Sequence, residues 1–450
     1  MKTYSSLRVA HPTFFYKNYE ISIKDGEMHV TYHFEIENLK AFSPSWVFPL
    51  GKEAISIDDE NLKAMVFNLG LAELVSYWKI TCSPNVVIEC GSLSPSQTNW
   101  WKKLYFHGLG EFFYLNRINA DESFMRITSM GTGNIPAPSQ RYLSGNLIPV
   151  GGGKDSNVTM ELLGEFHNTN RPYIINPRGA TLDSVRVANL SEETLTARRT
   201  LDPNMLALNK EGYLNGHTPF SAIVAFSSVI TAYVNNLKYV VLSNESSANE
   251  STVAGSTVNH QYSKSFEFEQ DFNRYEKEYL RSGVYYFSLL RPLSEYQIAS
   301  YFARLKQYHS VFRSCNKGSH TNVWCADCSK CLFVYLILSP FLSFEELEAI
   351  FGRNMGDDEN LIPTFNQLIG HESDEKPFEC VGSRDEINFA ICEAIRKNET
   401  LPRLFEYYKT TPLYKEYFTK ENPYPKFYDK ANLIPKGYLD ILMKELSLLP

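Results

Sequence analysis

The sequence predicts an α/β protein in which a largely parallel sheet with flanking helices follows an α+β N-terminal domain. From residue 147 onward, short apolar segments alternate with helical ones, as in parallel strands joined by right-handed crossovers. The first of these strands leads into a glycine-rich turn and a helix, and a helical region with four clustered cysteines follows the sheet. We predict an N-terminal domain over 1–130, a linker rich in Gly, Pro and Ser over 131–145, and a main domain over 146–450.

The composition excludes several classes of protein. Hydrophobic residues make up 43% of the 450 residues, which is enough for a large core. The formal net charge of −7 disfavours nucleic-acid binding, which usually requires a basic surface. The sequence contains neither a signal-peptide core nor a run of the roughly 20 apolar residues that span a membrane. We therefore expect a cytoplasmic protein with no nucleic-acid or membrane partner.

The N-terminal region has a pattern of its own. Residues 19–36 alternate apolar and polar side chains around Asp25-Gly26, a turn pair typical of a β-hairpin. Residues 60–77 have helical periodicity, and residues 78–82 are predicted as a strand. This region fits two interpretations, a packing or oligomerisation domain and a substrate-recognition domain.

The glycine-rich turn predicts an anion site. Leu147–Val150 is predicted as a buried strand, Gly151–Gly153 as a sharp turn, and the next residues as a helix capped by Asp155 or Ser156. The free N–H groups of a first helical turn, with the helix dipole behind them, favour phosphate. Lys154 adds a mobile positive charge. The common triphosphate loop needs Gly, four residues and then Gly-Lys-Ser/Thr, a spacing that is missing in this turn.

Two further loops are expected near this turn, because ligands of parallel sheets bind beyond the carboxyl ends of the strands. One loop contains His217, and the other, after the next buried strand, contains Glu245, Glu250 and His260. We predict the two histidines as proton-transfer groups, with a structural role as the alternative for each. Glu245 or Glu250 is a candidate Mg²⁺ ligand, and an ordinary solvated loop is the alternative for the second loop.

Three arginines fall near predicted strand ends and are candidates for binding substrate anions. Guanidinium groups bind carboxylates and phosphates through paired hydrogen bonds. Surface ion pairs are the alternative for each of them. These residues are Arg178, Arg198 and Arg199.

Four cysteines predict a metal site. Their spacing is Cys315-x9-Cys325-x2-Cys328-x2-Cys331. Short Cys-x-x-Cys spacing lets two thiolates reach one ion from a tight turn, and four thiolates close a tetrahedron around structural zinc. An iron–sulfur cluster and reduced cysteines without metal are the alternatives.

The turn Gly-Gly-Gly-Lys-Asp-Ser resembles the Ser-Gly-Gly-x-Asp-Ser loop of the ATP pyrophosphatase (PP-loop, HUP-like) superfamily, except that Gly151 stands where those proteins usually have Ser. The resemblance implies ATP cleavage to AMP and diphosphate, with Mg²⁺. The cysteine cluster resembles the zinc site of 7-cyano-7-deazaguanine synthases, which are also PP-loop enzymes. The ATP-binding residues implied are Gly151, Gly152, Gly153, Lys154, Asp155, Ser156, Asn244, Glu245 and Asn249.

The order of these motifs along the chain resembles the UDP-N-acetylmuramoyl-L-alanyl-L-glutamate epimerase family. This resemblance implies an isomerase of peptidoglycan precursor synthesis. Such an enzyme converts the terminal L-Glu of UDP-MurNAc-L-Ala-L-Glu to D-Glu through an acyl adenylate. It also implies a functional partnership with the ligase that makes the L-Glu dipeptide. The catalytic residues would be Lys154, Asp155, His217 and His260.

Two alternatives remain. The first is a PP-loop adenylating enzyme of another specificity, such as an RNA-thiolating enzyme or a deazaguanine synthase. The second is a non-catalytic nucleotide-binding module, which only the glycine at position 151 supports.

Overall fold

A computed structural model describes residues 2–130, 135–249, 262–315, 317–318, 321–372 and 376–446. The chain forms two compact units, each assembled from several segments. Unit 1 comprises Met1–Leu147, Leu195–Val240 and Gln261–Tyr286. Unit 2 comprises Ile148–Thr194, Val241–His260 and Phe287–Pro450.

The described residues contain eleven strands and seventeen α-helices. The strands are β1 (Thr13–Lys24), β2 (Glu27–Ile36), β3 (Lys40–Phe42), β4 (Ser45–Pro49), β5 (Asn85–Ile88), β6 (Arg126–Ser129), β7 (Asn146–Pro149), β8 (Asn170–Ile175), β9 (Leu195–Thr200), β10 (Tyr239–Leu242) and β11 (Tyr285–Ser288). The helices are α1 (Tyr4–Ala10), α2 (Glu60–Trp78), α3 (Pro95–Gly108), α4 (Gly110–Leu115), α5 (Lys154–Leu162), α6 (Gly179–Val187), α7 (Pro203–Lys210), α8 (Phe220–Val234), α9 (Phe266–Tyr275), α10 (Glu295–Arg304), α11 (Ser329–Leu338), α12 (Phe344–Phe351), α13 (Ile362–Ile369), α14 (Arg384–Lys397), α15 (Arg403–Thr410), α16 (Pro412–Phe418) and α17 (Lys436–Leu446).

Unit 1 is built on strands in the order β9-β4-β2-β1-β5-β6, with β3 paired to β2. The predicted hairpin is confirmed, because β1 and β2 pair antiparallel up to Lys24↔Glu27. Asp25 and Gly26 both have positive φ, as a tight two-residue turn requires. Every second residue of β2 is buried, so one face of the strand packs into the core.

The long helix α2 is buried along most of its length in unit 1, which confirms the helix predicted over 60–77. Gly70 allows a close approach to the sheet, because a Cβ there would overlap the hydroxyl of Tyr16. The strand predicted over 78–82 is wrong. Trp78 ends α2 and the following residues form turns, so the apolar side chains of this stretch are buried at a helix end.

The sheet is mixed rather than largely parallel, and β9 is one of its antiparallel strands. It pairs antiparallel with β4, from Ser45↔Thr200 to Val47↔Arg198. The sequence predicts largely parallel strands from residue 147 onward, and β9 lies in that region. A neighbouring helix does not determine which strand a segment pairs with, so this part of the prediction is wrong.

The strands that end in unit 2 follow the order β11-β10-β7-β8, and β7 pairs parallel with β10. The N–H of Val150 donates to the carbonyl of Tyr173 at 2.8 Å, and that of Leu289 to Leu242 at 2.8 Å. Helices α5 and α6 follow β7 and β8 directly. The alternation of strands and helices that predicted an α/β protein is therefore confirmed.

The rest of unit 2 is mainly helical. Helix α11 lies at its centre and packs against α10, α12, α13 and α14. Its residues Cys331–Leu338 are fully buried. Among the described residues, no helix combines the length and the apolar character needed to cross a membrane.

Candidate active site and four-cysteine cluster

The glycine turn in unit 2 joins β7 to α5. Helix α5 begins at Lys154 with Gly153 as its N-cap, so the predicted caps Asp155 and Ser156 lie in the first turn instead. Gly153 has the extended backbone geometry of an N-cap residue, so the helix begins after it, although no side chain caps the helix. Gly152 has φ +80°, and a Cβ there would lie 2.9 Å from the backbone of Ala180. The turn is therefore closely packed on the side of α6.

The other positions of the turn differ from Gly152. Gly151 is exposed, and a Cβ built on it would meet nothing within 4 Å. The hydroxyl of Ser156 donates to the carbonyl of Gly153 at 3.1 Å, so the N–H groups of the first turn are the candidate donors to an anion. The turn is therefore open at Gly151 and closely packed at Gly152.

Lys154 is buried rather than mobile, which corrects the sequence interpretation. Its side chain is 1% exposed, and its ammonium donates to the carboxylates of Asp155 and Glu295. Burial opposes the charge, and the attraction of the two carboxylates outweighs it, so the pKa of Lys154 is raised. Lys154 is therefore a fixed positive charge at the start of α5.

Glu295 and Glu245 complete a cluster of three carboxylates with Asp155. One oxygen of each lies within 4.8 Å of the others, and both glutamates are buried. Burial raises the pKa of Glu295, and the attraction of Lys154 opposes this shift. Two of these carboxylates pair with the ammonium of Lys154. Carboxylate oxygens are the ligands that hard divalent cations prefer. The arrangement fits a magnesium ion.

Glu295 was not predicted from the sequence. It is the first residue of α10, and its N–H donates to the carboxylate of Glu386 at 2.6 Å. Ser294 and Gln297 form a capping box that marks this helix start in the sequence. Glu295 also follows the edge strand β11, so the carboxyl-end rule, applied to one more strand, would have found it.

The loop after β10 contributes Glu245 to the carboxylate cluster, whereas the side chain of the preceding Asn244 bonds to Ser288. Asn244 donates from Nδ2 to the hydroxyl of Ser288 at 3.1 Å, and Arg291 donates to the carbonyl of Glu245 at 2.7 Å. The backbone continues as a short 3₁₀ turn over Ser246–Asn249. The Asn249 side chain, Glu250 and His260, all predicted as site residues or ligands, lie outside the described residues.

His217 belongs to a separate polar group in unit 1. Its Nδ1 lies 3.2 Å from a carboxylate oxygen of Glu111, and both side chains are mostly buried. Lys79 donates to the hydroxyl of Thr218 at 2.6 Å and to the carbonyl of Gly216, so it fixes both flanks of the histidine. Burial lowers the pKa of Lys79 to about 8. Glu111 and Lys79 lie far from His217 in sequence and were not predicted.

The three predicted arginines have different environments. Arg199 pairs with the buried carboxylate of Glu73 through two hydrogen bonds of 2.6 and 2.7 Å. Arg198 makes a similar pair with Glu27, at 2.9 and 2.6 Å, and is half exposed. Both belong to unit 1, whereas Arg178 is exposed at the start of α6 in unit 2. A protein carboxylate therefore already neutralises Arg198 and Arg199.

The four predicted cysteine ligands lie together at the start of α11. Their Sγ–Sγ distances are 3.3 Å for Cys315–Cys325, 3.8 Å for Cys315–Cys328, 3.6 Å for Cys325–Cys331 and 3.4 Å for Cys328–Cys331. A tetrahedral ion with Zn–S bonds of about 2.3 Å places the sulfurs about 3.8 Å apart. A four-iron cluster carries each thiolate on a different iron and separates them further. The donor set therefore fits a single zinc ion.

These features define an α/β protein with a glycine turn at a helix N-terminus, a buried carboxylate cluster and a four-thiol site. A sequence model of the MurL N-terminal domain matches residues 6–289, and one of the MurL C-terminal domain matches residues 311–404. The chain belongs to the MurL epimerase family.

Three relatives carry the name UDP-N-acetyl-alpha-D-muramoyl-L-alanyl-L-glutamate epimerase. The protein from Xanthomonas oryzae pv. oryzae is 35% identical over 325 residues, covering 70% of this chain and 71% of the relative. The protein from Salinispora tropica is 37% identical over 326 residues, with 70% of each chain covered. The protein from a Micromonospora species is 36% identical over 327 residues, with 70% and 71% covered. No solved structure gives a significant match.

Proposed function

We propose that this chain converts the terminal L-Glu of UDP-MurNAc-L-Ala-L-Glu to D-Glu, with ATP cleaved to AMP and diphosphate on a PP-loop (HUP-like) domain. The proposal is supported mainly by the identity of this chain, 35–37% over 70% of its length, to three proteins named as this epimerase. The glycine turn and the carboxylate cluster are independent support for an ATP·Mg²⁺ site. The substrate would come from a ligase that adds L-Glu to UDP-MurNAc-L-Ala.

The reaction explains why an epimerase would use ATP. Inversion requires loss of the proton on the α-carbon of the glutamate residue, and next to a free carboxylate that proton is very weakly acidic. Adenylation of the carboxylate removes its charge and gives an acyl group whose enolate is stabilised. The proton then returns on the other face, and hydrolysis of the acyl adenylate releases the D-epimer and AMP. Donors aimed at the enolate oxygen would provide much of the stabilisation.

The residues at the glycine turn have defined roles in this scheme. The N–H groups that follow Gly152 would bind the diphosphate, assisted by the dipole of α5. Asp155, Glu245 and Glu295 would hold Mg²⁺, which supplies charge neutralisation for the phosphates. Lys154 keeps two of these carboxylates in place, because its ammonium bonds to Asp155 and Glu295.

His217 is the proposed proton-transfer group among the described residues. Glu111 lies 3.2 Å from Nδ1 of the imidazole, so it fixes the ring orientation. Lys79 donates to the carbonyl of Gly216 and to the hydroxyl of Thr218, the residues on either side of His217. The four cysteines have a different role, because a zinc ion with four thiolate ligands has no open position and stabilises the fold.

Incubation with ATP, Mg²⁺ and UDP-MurNAc-L-Ala-L-Glu in D₂O tests the proposal. Epimerisation through an enolate places deuterium on the α-carbon of the glutamate residue and releases AMP. AMP release without deuterium would overturn the epimerase function and favour another adenylating enzyme. Recovery of unlabelled L-Glu and intact ATP would overturn the catalytic proposal as a whole.

A further inference from the structure

The four-cysteine segment contacts the glycine turn at the residues that precede its first ligand. The N–H of Arg313 donates to the carbonyl of Gly152 at 2.7 Å. The hydroxyl of Ser314 lies 2.9 Å from the position that a Cβ on Gly153 would occupy. Since Cys315 follows Ser314 directly, an ion held by the cysteines also anchors this contact.

A second contact comes from Asn322, within the loop that joins Cys315 to Cys325. Its Nδ2 donates to the carboxylate of Asp183 on α6 at 3.2 Å. Gly179, the first residue of α6, makes room for it, because a Cβ there would overlap the side chain of Asn322. Asn322 has φ +56°, a left-handed conformation that asparagine tolerates well.

Helix α6 in turn packs on the glycine turn. The backbone of Ala180 lies 2.9 Å from the position of a Cβ on Gly152, so the start of α6 forms one wall of the turn. Asn322 is thus connected to the anion site through α6, and Arg313 is connected to it directly. One connection begins inside the loop that the four cysteines close, and the other begins two residues before its first ligand.

We propose that Asn322 is a positioning residue for the anion site, and that it transmits the order of the four-cysteine loop to the glycine turn through Asp183 and α6. The proposal rests on the proposed function, because the anion is the phosphate chain of ATP. Nothing in the role of Asn322 requires contact with the nucleotide. Its hydrogen bond to the carboxylate of Asp183 sets where α6 lies against Gly152.

A charge-swap series on the zinc-loaded full chain tests this role. Asn322→Asp keeps the shape and the left-handed backbone but places a carboxylate against Asp183. We expect ATP affinity, measured by calorimetry with Mg²⁺, to fall about tenfold while the zinc content stays at one ion per chain. The double variant Asn322→Asp/Asp183→Asn places an amide donor at position 183 opposite a carboxylate acceptor at position 322. It should return the ATP affinity to within about threefold of wild type.

Asn360→Asp is the matched control, because Asn360 also donates to an aspartate, Asp358, at 2.9 Å but is exposed. Its ATP affinity should equal that of wild type. Unchanged affinity in Asn322→Asp, or no recovery in the double variant, would overturn the inference. A wild-type protein that does not bind ATP would overturn this inference and the proposed function together. Loss and recovery of ATP binding in a protein that forms no D-epimer would support the inference and overturn the epimerase function.

Discussion

At the residue scale, the site in unit 2 depends on one buried cation. Lys154 is 1% exposed, and its charge is stable there because Asp155 and Glu295 both accept hydrogen bonds from it. The sequence indicated a lysine at an anion-binding turn, but it could not indicate that the side chain points towards Glu295. That pairing joins residues 141 positions apart and exists only in the folded chain.

Replacing Lys154 should be costly for stability as well as for activity. Lys154→Met leaves Glu295 buried without its cation, so we expect the free energy of unfolding to fall by about 3 kcal/mol. AMP formation should be lost in the same variant. Denaturant unfolding measures the first effect. Lys420→Met is the control, because Lys420 makes an exposed pair with Glu416, and it should change stability by less than about 0.5 kcal/mol. Equal effects in both variants would contradict the buried pairing.

Lys79 predicts a pH dependence of stability. Burial lowers its pKa from 10.5 to about 8 in the folded chain, so between these values the unfolded chain binds more protons. The contribution of Lys79 to the free energy of unfolding therefore rises as the pH increases from about 8 to 10.5. This contribution is lost again as the pH falls through about 8. We expect wild type to gain about 2 kcal/mol more than Lys79→Met over this interval in denaturant unfolding. Parallel pH profiles of the two proteins would exclude the buried, neutral lysine.

At the element scale, the turn between β7 and α5 contains glycines with different requirements. Gly152 has a left-handed backbone and no room for a Cβ, whereas Gly151 has open space around its Cα. We expect Gly152→Ala to lower the free energy of unfolding by about 1–3 kcal/mol and to weaken ATP binding. Gly151→Ala should leave stability within about 0.5 kcal/mol of wild type. Thermal unfolding of the two variants measures the difference, and a more damaging Gly151→Ala would contradict the geometry.

The elements show which features local sequence could predict. The hairpin at Asp25-Gly26 and the strand–turn–helix around Gly151–Gly153 depend on a few adjacent residues, and both predictions are confirmed. Contacts between residues that are distant in sequence were not predicted. Strand β9 pairs antiparallel with β4, and Glu111 lies beside His217 because of chain folding that no short-range pattern encodes. The glycine turn was therefore predictable because it directly follows a strand. The contacts between side chains that are distant in sequence, such as Glu111 and His217, were not.

At the scale of the whole molecule, the chain passes repeatedly between its two units. Residues 148–194 and 241–260 belong to unit 2, with segments of unit 1 before, between and after them. The alternation of strands and helices predicted the α/β class correctly. The two units could not be predicted, because each consists of segments that are separated in sequence and the composition does not change where one unit ends. The cysteine cluster was predictable because all four thiols lie within one short segment.

Metal removal should affect unit 2 as a whole. The cysteine cluster closes the segment that leads into α11, the central helix of that unit. We expect the purified protein to contain one zinc ion per chain, and a strong chelator to lower its melting temperature by at least about 5 °C. Elemental analysis and calorimetry measure the two quantities. Cys392→Ser, which changes a buried cysteine outside the cluster, should keep the zinc content, and a metal-free native protein would contradict the site.

The most direct test of the central claim is the stoichiometry between AMP and inverted residues. UDP-MurNAc-L-Ala-L-Glu and ATP are incubated with the enzyme, and AMP and the D-Glu content of the hydrolysed product are measured over the same time course. Activation of the carboxylate in every turnover predicts one AMP for each D-Glu formed and no inversion without ATP. Inversion that proceeds in the absence of ATP, or without AMP release, would contradict the account.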